Sequence, residues 1–267
     1  MLVSIITVNY NQPKVTEELL ASLRTVNDLG FAGGNNLGYK YASGKLFFFI
    51  NNDTEVTSSL IGNLVNYLES NPQVGMVSPK ILYFDQPTLL QYAGFTEMNY
   101  LTARNQAIGQ WEVDAGQRDN LTGKTGFIHG AAMMVTSEAI LATGLMADNY
   151  FLYYEEIDWC DRIRRNGFEI HVNMQATIYH KESISVGKNS ALKEYFMNRN
   201  RILFIRKNTS TLNYVIFCLY FLGFVTPRNL FKYLKNREYK FIPVLFRAIT
   251  WHLYNSTSSK HLGFLQR

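Results

Sequence analysis

Apolar and polar positions along this chain fall into two alternating kinds of stretch. Leu2 to Val8 is a short run rich in β-branched residues, and Pro13 then opens a pattern with Val15, Leu19, Leu20 and Leu23 on one side, which predicts a strand followed by a helix. GFAGGNNLG, residues 30 to 38, predicts a glycine-rich turn leading into a short segment that ends at Gly44. Leu46 to Ile50 is an unbroken apolar run of strand length. Leu60 to Leu68 reads as a helix stopped by Asn71-Pro72, and Val74 to Val77 as a further strand. Residues 85–126 predict loops with short strands. After them come a small-residue strand from Gly130 to Val135 and a short helix from Ser137 to Thr143. Glu155 to Gly167 has Ile157, Cys160 and Ile163 at helical spacing, with Gly167 in a C-cap position. Continuous apolar strands alternating with helices predict an α/β fold, a mainly parallel sheet covered on both faces.

The C-terminal part differs. Leu212 to Val225 holds about fourteen mostly apolar residues, fewer than the ~20 that a spanning helix needs. Arg228, Lys232, Lys235 and Arg237 follow, and then FIPVLFRAITWHLY. That combination fits an interfacial helical tail, and it fits equally a helical hairpin packed on the body.

Composition narrows the function classes. A chain of 267 residues with 47% hydrophobic content can bury a sizeable core. The net charge of +5 is mild and contains no long basic run, which suits an anionic small molecule or lipid headgroups and argues against nucleic acid. Cys160 and Cys218 lie far apart, so neither a disulfide framework nor a zinc site is expected and both read as packing residues. The apolar N-terminus lacks a basic n-region and reads as a first strand rather than a signal peptide, giving a cytoplasmic expectation.

In parallel sheets ligands gather beyond the carboxyl ends of strands, and Asn51-Asn52-Asp53 stands at such an end. Asp53 there either bridges a hard divalent cation to a diphosphate or caps the next turn. The glycines at 30, 33, 34 and 38 do not fit G-x-G-x-x-G, and no phosphate-binding Lys-Ser/Thr pair follows, so a dinucleotide site is disfavoured. Asp158 with Arg162 and Asp161 with Arg165 are i,i+4 pairs, expected on a solvated helix face. Glu155 and Glu156 stand at the helix start directly after Phe151-Leu152-Tyr153-Tyr154. They serve either as dipole-compensating caps or as a general base whose proton affinity is raised beside aromatic walls. His180, after another apolar run, is a candidate for a phosphate or metal contact, or a structural histidine.

Taken in order, SIITVNYNQP, DLGFAGGNN, FFFINNDTEV, GAAMMVTSEAI, YFLYYEEIDWCDRIRRNGFEI, YHKESISVG and YFMNRNRI resemble the inverting family 2 glycosyltransferases, in particular the rhamnosyltransferase-like branch, over residues 2–206. The resemblance implies a GT-A-like domain over residues 1–206; the apolar and basic pattern of residues 207–267 adds the expectation of a C-terminal helical tail suited to a membrane surface. It implies a nucleotide-sugar donor, a glycan or lipid-linked acceptor, and Mg²⁺ or Mn²⁺. Asp53 takes the metal-binding place, with Asn51 and Asn52 beside it on the donor. His180 takes that of a histidine serving the metal or leaving group. Glu156 falls on the base position with Glu155 next to it, a Glu where the family has Asp. Thr7, Val8, Asn9 and Tyr10 match the strand end against the nucleobase, and Gly33 and Asn35 the glycine-rich donor segment. The family also carries a second strand and helix before that segment, ending in a nucleoside-binding aspartate. This chain passes directly from ELLASLRT to VNDLGFAGGNN, and Asp28 is not assigned that role. A nucleotidyltransferase, or a non-catalytic glycan-binding remnant, are the rival readings.

Overall fold

The computed structural model describes residues 2–8, 30–181 and 190–264. The predicted first helix, Asn9, Tyr10, Asp28 and most of the KESISVG segment lie outside them. Eight strands form one sheet: β1 (Val3–Val8), β2 (Leu46–Asn51), β3 (Thr54–Val56), β4 (Val74–Tyr83), β5 (Leu90–Tyr92), β6 (Gly123–Lys124), β7 (Ala132–Thr136) and β8 (Glu169–His180). The order is β1-β2-β7-β4-β8-β3, with β5 on β4 and β6 on β8. Among the described residues, only β1–β2 and β4–β8 pair in parallel. The sheet is therefore mixed where the apolar runs predicted a mainly parallel one. The runs signal burial on both faces, and burial is met here without parallel neighbours: β7 lies antiparallel between β2 and β4.

β2 explains its own sequence. Phe47 and Phe49 point into one core, where Phe49 meets Trp159 edge-on at 5.5 Å between ring centroids. Leu46 and Phe48 point into the other, with Leu60, Leu64 and Leu68. The period-2 alternation thus needs an apolar side chain at every position, and each fully buried one stabilises the fold by roughly 1.5–3 kcal/mol.

Helix α1 (Gly30–Tyr39) replaces the predicted glycine-rich turn. Glycine is costly in a helix interior, by ~1 kcal/mol each, but here it permits close approach. A Cβ at Gly38 would stand 2.6 Å from Cγ2 of Ile6 on β1, and Gly30, at φ +66°, leaves room for the carbonyl and ring of Phe151. Helices α2 (Leu60–Ser70) and α3 (Ser137–Thr143) form as predicted, α3 capped by the Thr136 hydroxyl accepting from the Ala139 N–H. Helix α4 (Glu155–Arg165) follows, with Gly167 at φ +87° just past its end.

The expected solvated face of α4 is buried instead. Asp158 and Asp161 are almost fully enclosed. The Asp158 carboxylate accepts from Arg162, Asn208 and the Tyr150 hydroxyl and pairs with Lys207, while Asp161 accepts from Tyr100, Arg164 and Arg165. Burial pushes the proton affinity of Asp158 up, but Lys207 and Arg162 together hold it below the ordinary carboxylate value.

Four C-terminal helices complete the structure: α5 (Ala191–Asn208), α6 (Thr211–Tyr220), α7 (Thr226–Lys235) and α8 (Phe241–Tyr254). α5 runs through position 206. A π-helical turn over Phe221–Val225 joins α6 to α7. The result is one helical run, Thr211–Lys235, of 25 residues, long and apolar enough to cross a membrane by length and composition. The sequence reading ended it at Val225. Pro227 does not stop it, because the wider turn absorbs the clash and the lost hydrogen bond at residue 223. Phe217, Phe221 and Val225 enter the same core as Phe47 and Phe49, whereas Leu212, Val215, Leu219, Leu222 and Phe224 are exposed.

Candidate active site

The chain leaves β2 in a tight reversal. The Thr54 hydroxyl donates to the Asn51 carbonyl at 2.7 Å, and β3 then pairs antiparallel with the end of β8, Thr54 opposite His180. This register sets Asp53 beside His180: Nε2 of the imidazole lies 3.3 Å from Oδ1 of the carboxylate. Nδ1 of His180 meets Oε1 of buried Gln91 at 2.9 Å. Since that oxygen only accepts, Nδ1 carries a proton, and in a neutral ring the Nε2 lone pair faces the carboxylate. Asp53 Oδ1, which is buried, has no hydrogen-bond partner among the described residues.

Beside this pair stands His129, its ring 5.8 Å from that of His180. Burial, aided by His180 and opposed by Asp53, pushes its proton affinity down to about 3, so it is neutral; its Nδ1 accepts from the Ala131 N–H. The Asn51 N–H donates to the Ala131 carbonyl at 2.9 Å, locking the end of β2 to this segment. Next to Gly130 lies the second carboxylate: a Cβ there would sit 3.7 Å from Cγ of Glu156, at ordinary van der Waals contact. Asp53, beside His129, and Glu156, beside Gly130, therefore both neighbour the same short stretch, His129-Gly130-Ala131.

Glu155 and Glu156 begin α4 after a strained approach. Phe151, Tyr153 and Tyr154 all have positive φ, at 66°, 68° and 74°. Each such residue costs of order 1 kcal/mol or more and persists only where the surroundings hold it. Asn200 on α5 supplies that hold: its amide nitrogen lies 2.8 Å from each of the carbonyl oxygens of Tyr150, Leu152 and Tyr153, which share its two N–H donors. Buried Arg199 beside it donates to the Asn149 carbonyl. The result places Glu156 half-buried at the helix start, with no cation near enough to pair among the described residues. Burial raises its proton affinity to about 7, against the opposing pull of the backbone N–H groups of Glu156, Ile157 and Tyr154. Glu155 is raised well above the ordinary range by burial and then by the Glu156 charge. Each carboxyl keeps one buried oxygen, Oε2, without a partner among the described residues.

The other predicted site residues are placed differently. Thr7 is exposed on β1 opposite Ile50, and Val8 stands opposite Asn51 in register. Asn9 and Tyr10 lie outside the described residues. Gly33 and Asn35 are buried in α1, and the Asn35 amide donates to the Phe31 carbonyl of its own helix. Sequence reasoning missed His129, Gln91 and Asn200. A histidine directly before the small-residue strand and an amide between two arginines in an apolar helix were the available signals.

Whether this set suits a divalent cation is a question of donors. A buried unpartnered carboxylate oxygen facing an imidazole lone pair fits Mn²⁺, and less closely Mg²⁺, which prefers oxygen alone. Among the described residues no group of three or more His, Cys, Asp or Glu assembles around it. Such a pair suits an ion whose remaining positions are filled by phosphate oxygens and water.

Comparison with known proteins agrees with this architecture. The profile described as Glycosyltransferase like family 2 matches residues 5–204. The low-salt glycan biosynthesis hexosyltransferase Agl10 of Haloferax volcanii is 26% identical over 229 residues, spanning 82% of this chain and 71% of that protein. The dTDP-rhamnosyl transferase RfbF of Shigella flexneri is 22% identical over 225 residues, 78% of this chain and 72% of that one. Among solved structures, GalNAc-T7 with UDP, GalNAc and Mn²⁺ superposes with a TM-score of 0.54 at 10% identity, covering 76% of this chain and 41% of that one. That likeness is one of fold. With the profile spanning most of its length and a GT-A-like sheet beneath the site, the chain belongs to glycosyltransferase family 2.

Proposed function

We propose that the protein transfers a sugar from a nucleotide diphosphate donor to an acceptor hydroxyl with inversion at the anomeric carbon. The observation that carries this reading is that the Asp53–His180 pair and Glu156 both neighbour the His129-Gly130 stretch. Glu156 takes the proton of the acceptor hydroxyl while that oxygen forms its bond to the anomeric carbon. The bond from that carbon to the diphosphate breaks on the opposite face, and the electron pair leaves with the phosphate oxygen. A base whose proton affinity lies near neutrality is matched to this task. Asp53 and His180 would hold a divalent cation, which when bound supplies charge neutralisation to the departing diphosphate. The Asn200 clamp keeps Glu156 in position, and His129, neutral, adds no competing charge.

The donor is sought first among deoxythymidine diphosphate sugars, since one relative is named for dTDP-rhamnosyl transfer. The acceptor is a glycan or a lipid-linked glycan. The exposed apolar side chains of the Thr211–Lys235 run, with Arg228, Lys232, Lys235 and Arg237 beyond them, support contact with an anionic membrane surface. Because Phe217, Phe221 and Val225 are held in the protein core, the run lies along such a surface and does not cross it.

Titration calorimetry with a panel of nucleotide sugars, dTDP-rhamnose included, tests the donor reading. Heat that depends on Mn²⁺ and vanishes in Asp53→Asn is expected from at least one donor. No metal-dependent heat from any would leave a glycan-binding module, and release of pyrophosphate in turnover would favour a nucleotidyltransferase.

A further inference from the structure

Behind Glu156 lies a cluster of charge that the transfer reading leaves unused. Tyr154 packs against Phe204, and its hydroxyl feels three charges: Arg201, Glu156 and Arg104. Arg201 projects from α5. One of its nitrogens donates to the Thr102 carbonyl, its Nε is buried with no partner among the described residues, and Tyr220 is a further neighbour. Arg104 stands at the end of the Asn99–Arg104 turn that the Thr102 contact fixes, where Ala103 is forced to φ 48°. Among the described residues neither guanidinium has a carboxylate within ion-pairing distance, although the three arginines of α4 are all paired. Burial depresses the proton affinity of Arg201, and Arg104 depresses it further, which marks two like charges held close without a counterion.

The same guanidinium reaches the C-terminal helical run. Its Cζ lies 6.0 Å from the ring centre of Phe217 and 5.7 Å from that of Phe221, the side chains that anchor that run to the body. The opposite side of the run exposes Leu212, Val215, Leu219 and Leu222. Along the flank of the run, Tyr220 beside Arg201 stacks on exposed Phe224, 5.7 Å between ring centroids, and so links the guanidinium to the apolar outer side.

We propose that Arg201 and Arg104 form an anion subsite beside Glu156 that takes a phosphate carried by the acceptor, whose apolar chain continues onto the exposed side of Thr211–Lys235. The proposal rests on the transfer reading for the identity of the ligand as acceptor. Guanidinium groups fit phosphate by paired N–H donors, and a partly buried site strengthens each such bond. The subsite would discriminate for phosphorylated amphiphiles and against neutral sugars, and would seat the acceptor hydroxyl toward Glu156.

The test is titration of the full chain with octyl phosphate below its aggregation concentration and, separately, with inorganic phosphate, in EDTA so that no cation occupies the Asp53 side. Octyl phosphate is expected to bind more tightly than inorganic phosphate. Its affinity should fall about tenfold in Arg201→Gln and in Arg104→Gln, the loss of a charge-assisted bond, and stay unchanged in Lys40→Gln, an exposed cation elsewhere. Arg104 is exposed, so Arg104→Gln keeps the test decisive even where Arg201→Gln unfolds. Unchanged affinity in Arg104→Gln, or equal affinity for the two phosphates, overturns the proposal. Failure of the transfer reading shows elsewhere, as absent Mn²⁺-dependent nucleotide-sugar heat, and leaves the octyl phosphate titration intact.

Discussion

His180 presents Nε2 to Asp53 Oδ1 at 3.3 Å while Gln91 engages its Nδ1 at 2.9 Å. The ring is thereby oriented from behind, and the tautomer that leaves Nε2 free to ligate is the one Gln91 selects. Gln91→Leu removes that orientation without touching either candidate ligand. Mn²⁺ affinity measured in the presence of nucleoside diphosphate should fall roughly 10- to 100-fold, the usual cost of losing such a partner. Equal affinity in wild type and variant would detach Gln91 from the site.

Glu156 carries the pH dependence. Its carboxyl titrates near 7 in the fold against an ordinary 4.5, and only the ionised form accepts a proton, so the transfer rate should rise as pH passes upward through about 7. Glu156→Gln should lower the rate about 10²- to 10⁴-fold and leave donor affinity unchanged. The stability effect has the opposite sense. A raised folded value means that the fold favours the neutral acid, a contribution complete below about 4.5 and lost as pH rises through about 7. Thermal unfolding of the Gln variant should therefore depend less on pH than that of wild type across this window.

Asn200→Ala removes the two N–H donors that three carbonyls share in the segment whose backbone is strained at Phe151, Tyr153 and Tyr154. With about 1 kcal/mol for each donor, the loss of stability by urea unfolding should be about 2 kcal/mol. A loss under ~1 kcal/mol would show that the segment holds itself.

Asp158→Asn breaks a buried carboxylate away from Lys207 and Arg162. Removing one partner of such a set costs about 3–5 kcal/mol. Because the folded acid is held below its ordinary value, this stabilisation exists above the unfolded value of 3.8 and disappears as pH falls through the folded one. The urea midpoints of wild type and variant should converge toward acid, and a constant gap would contradict the assignment.

Gly38→Ala places a methyl against Ile6 and should destabilise by about 1–3 kcal/mol. Adding Ile6→Ala should relieve part of the clash, a coupling that a double-mutant cycle in urea detects. Simple additivity would mean that the helix packs with room to spare.

Leu46 to Ile50 is legible as a buried strand because each of its two alternating faces meets a core, whereas its polar end reads two ways, as a cation site or as the cap of the next turn, because Asn and Asp serve both. The glycine-rich helix is not legible. Propensity argues against it, and what favours it lies far along the chain in Ile6 and Phe151. Asp158 and Asp161 mislead for a related reason: i,i+4 spacing looks alike on exposed and buried faces, and Lys207, Asn208 and Tyr100, which decide the matter, come from other elements. The neighbourhood of His129, Gln91 and His180 forms only when β5 and β8 flank β4, so no local pattern announces it.

The account stands on Glu156 and Asp53 acting upon one donor. The most direct measurement follows slow hydrolysis of the bound nucleotide sugar by NMR, with Mn²⁺ and no acceptor, so that water takes the place of the alcohol. The first sugar released should have inverted anomeric configuration, and its rate should collapse in both Glu156→Gln and Asp53→Asn. Retained configuration, or an undiminished rate in either variant, would contradict it.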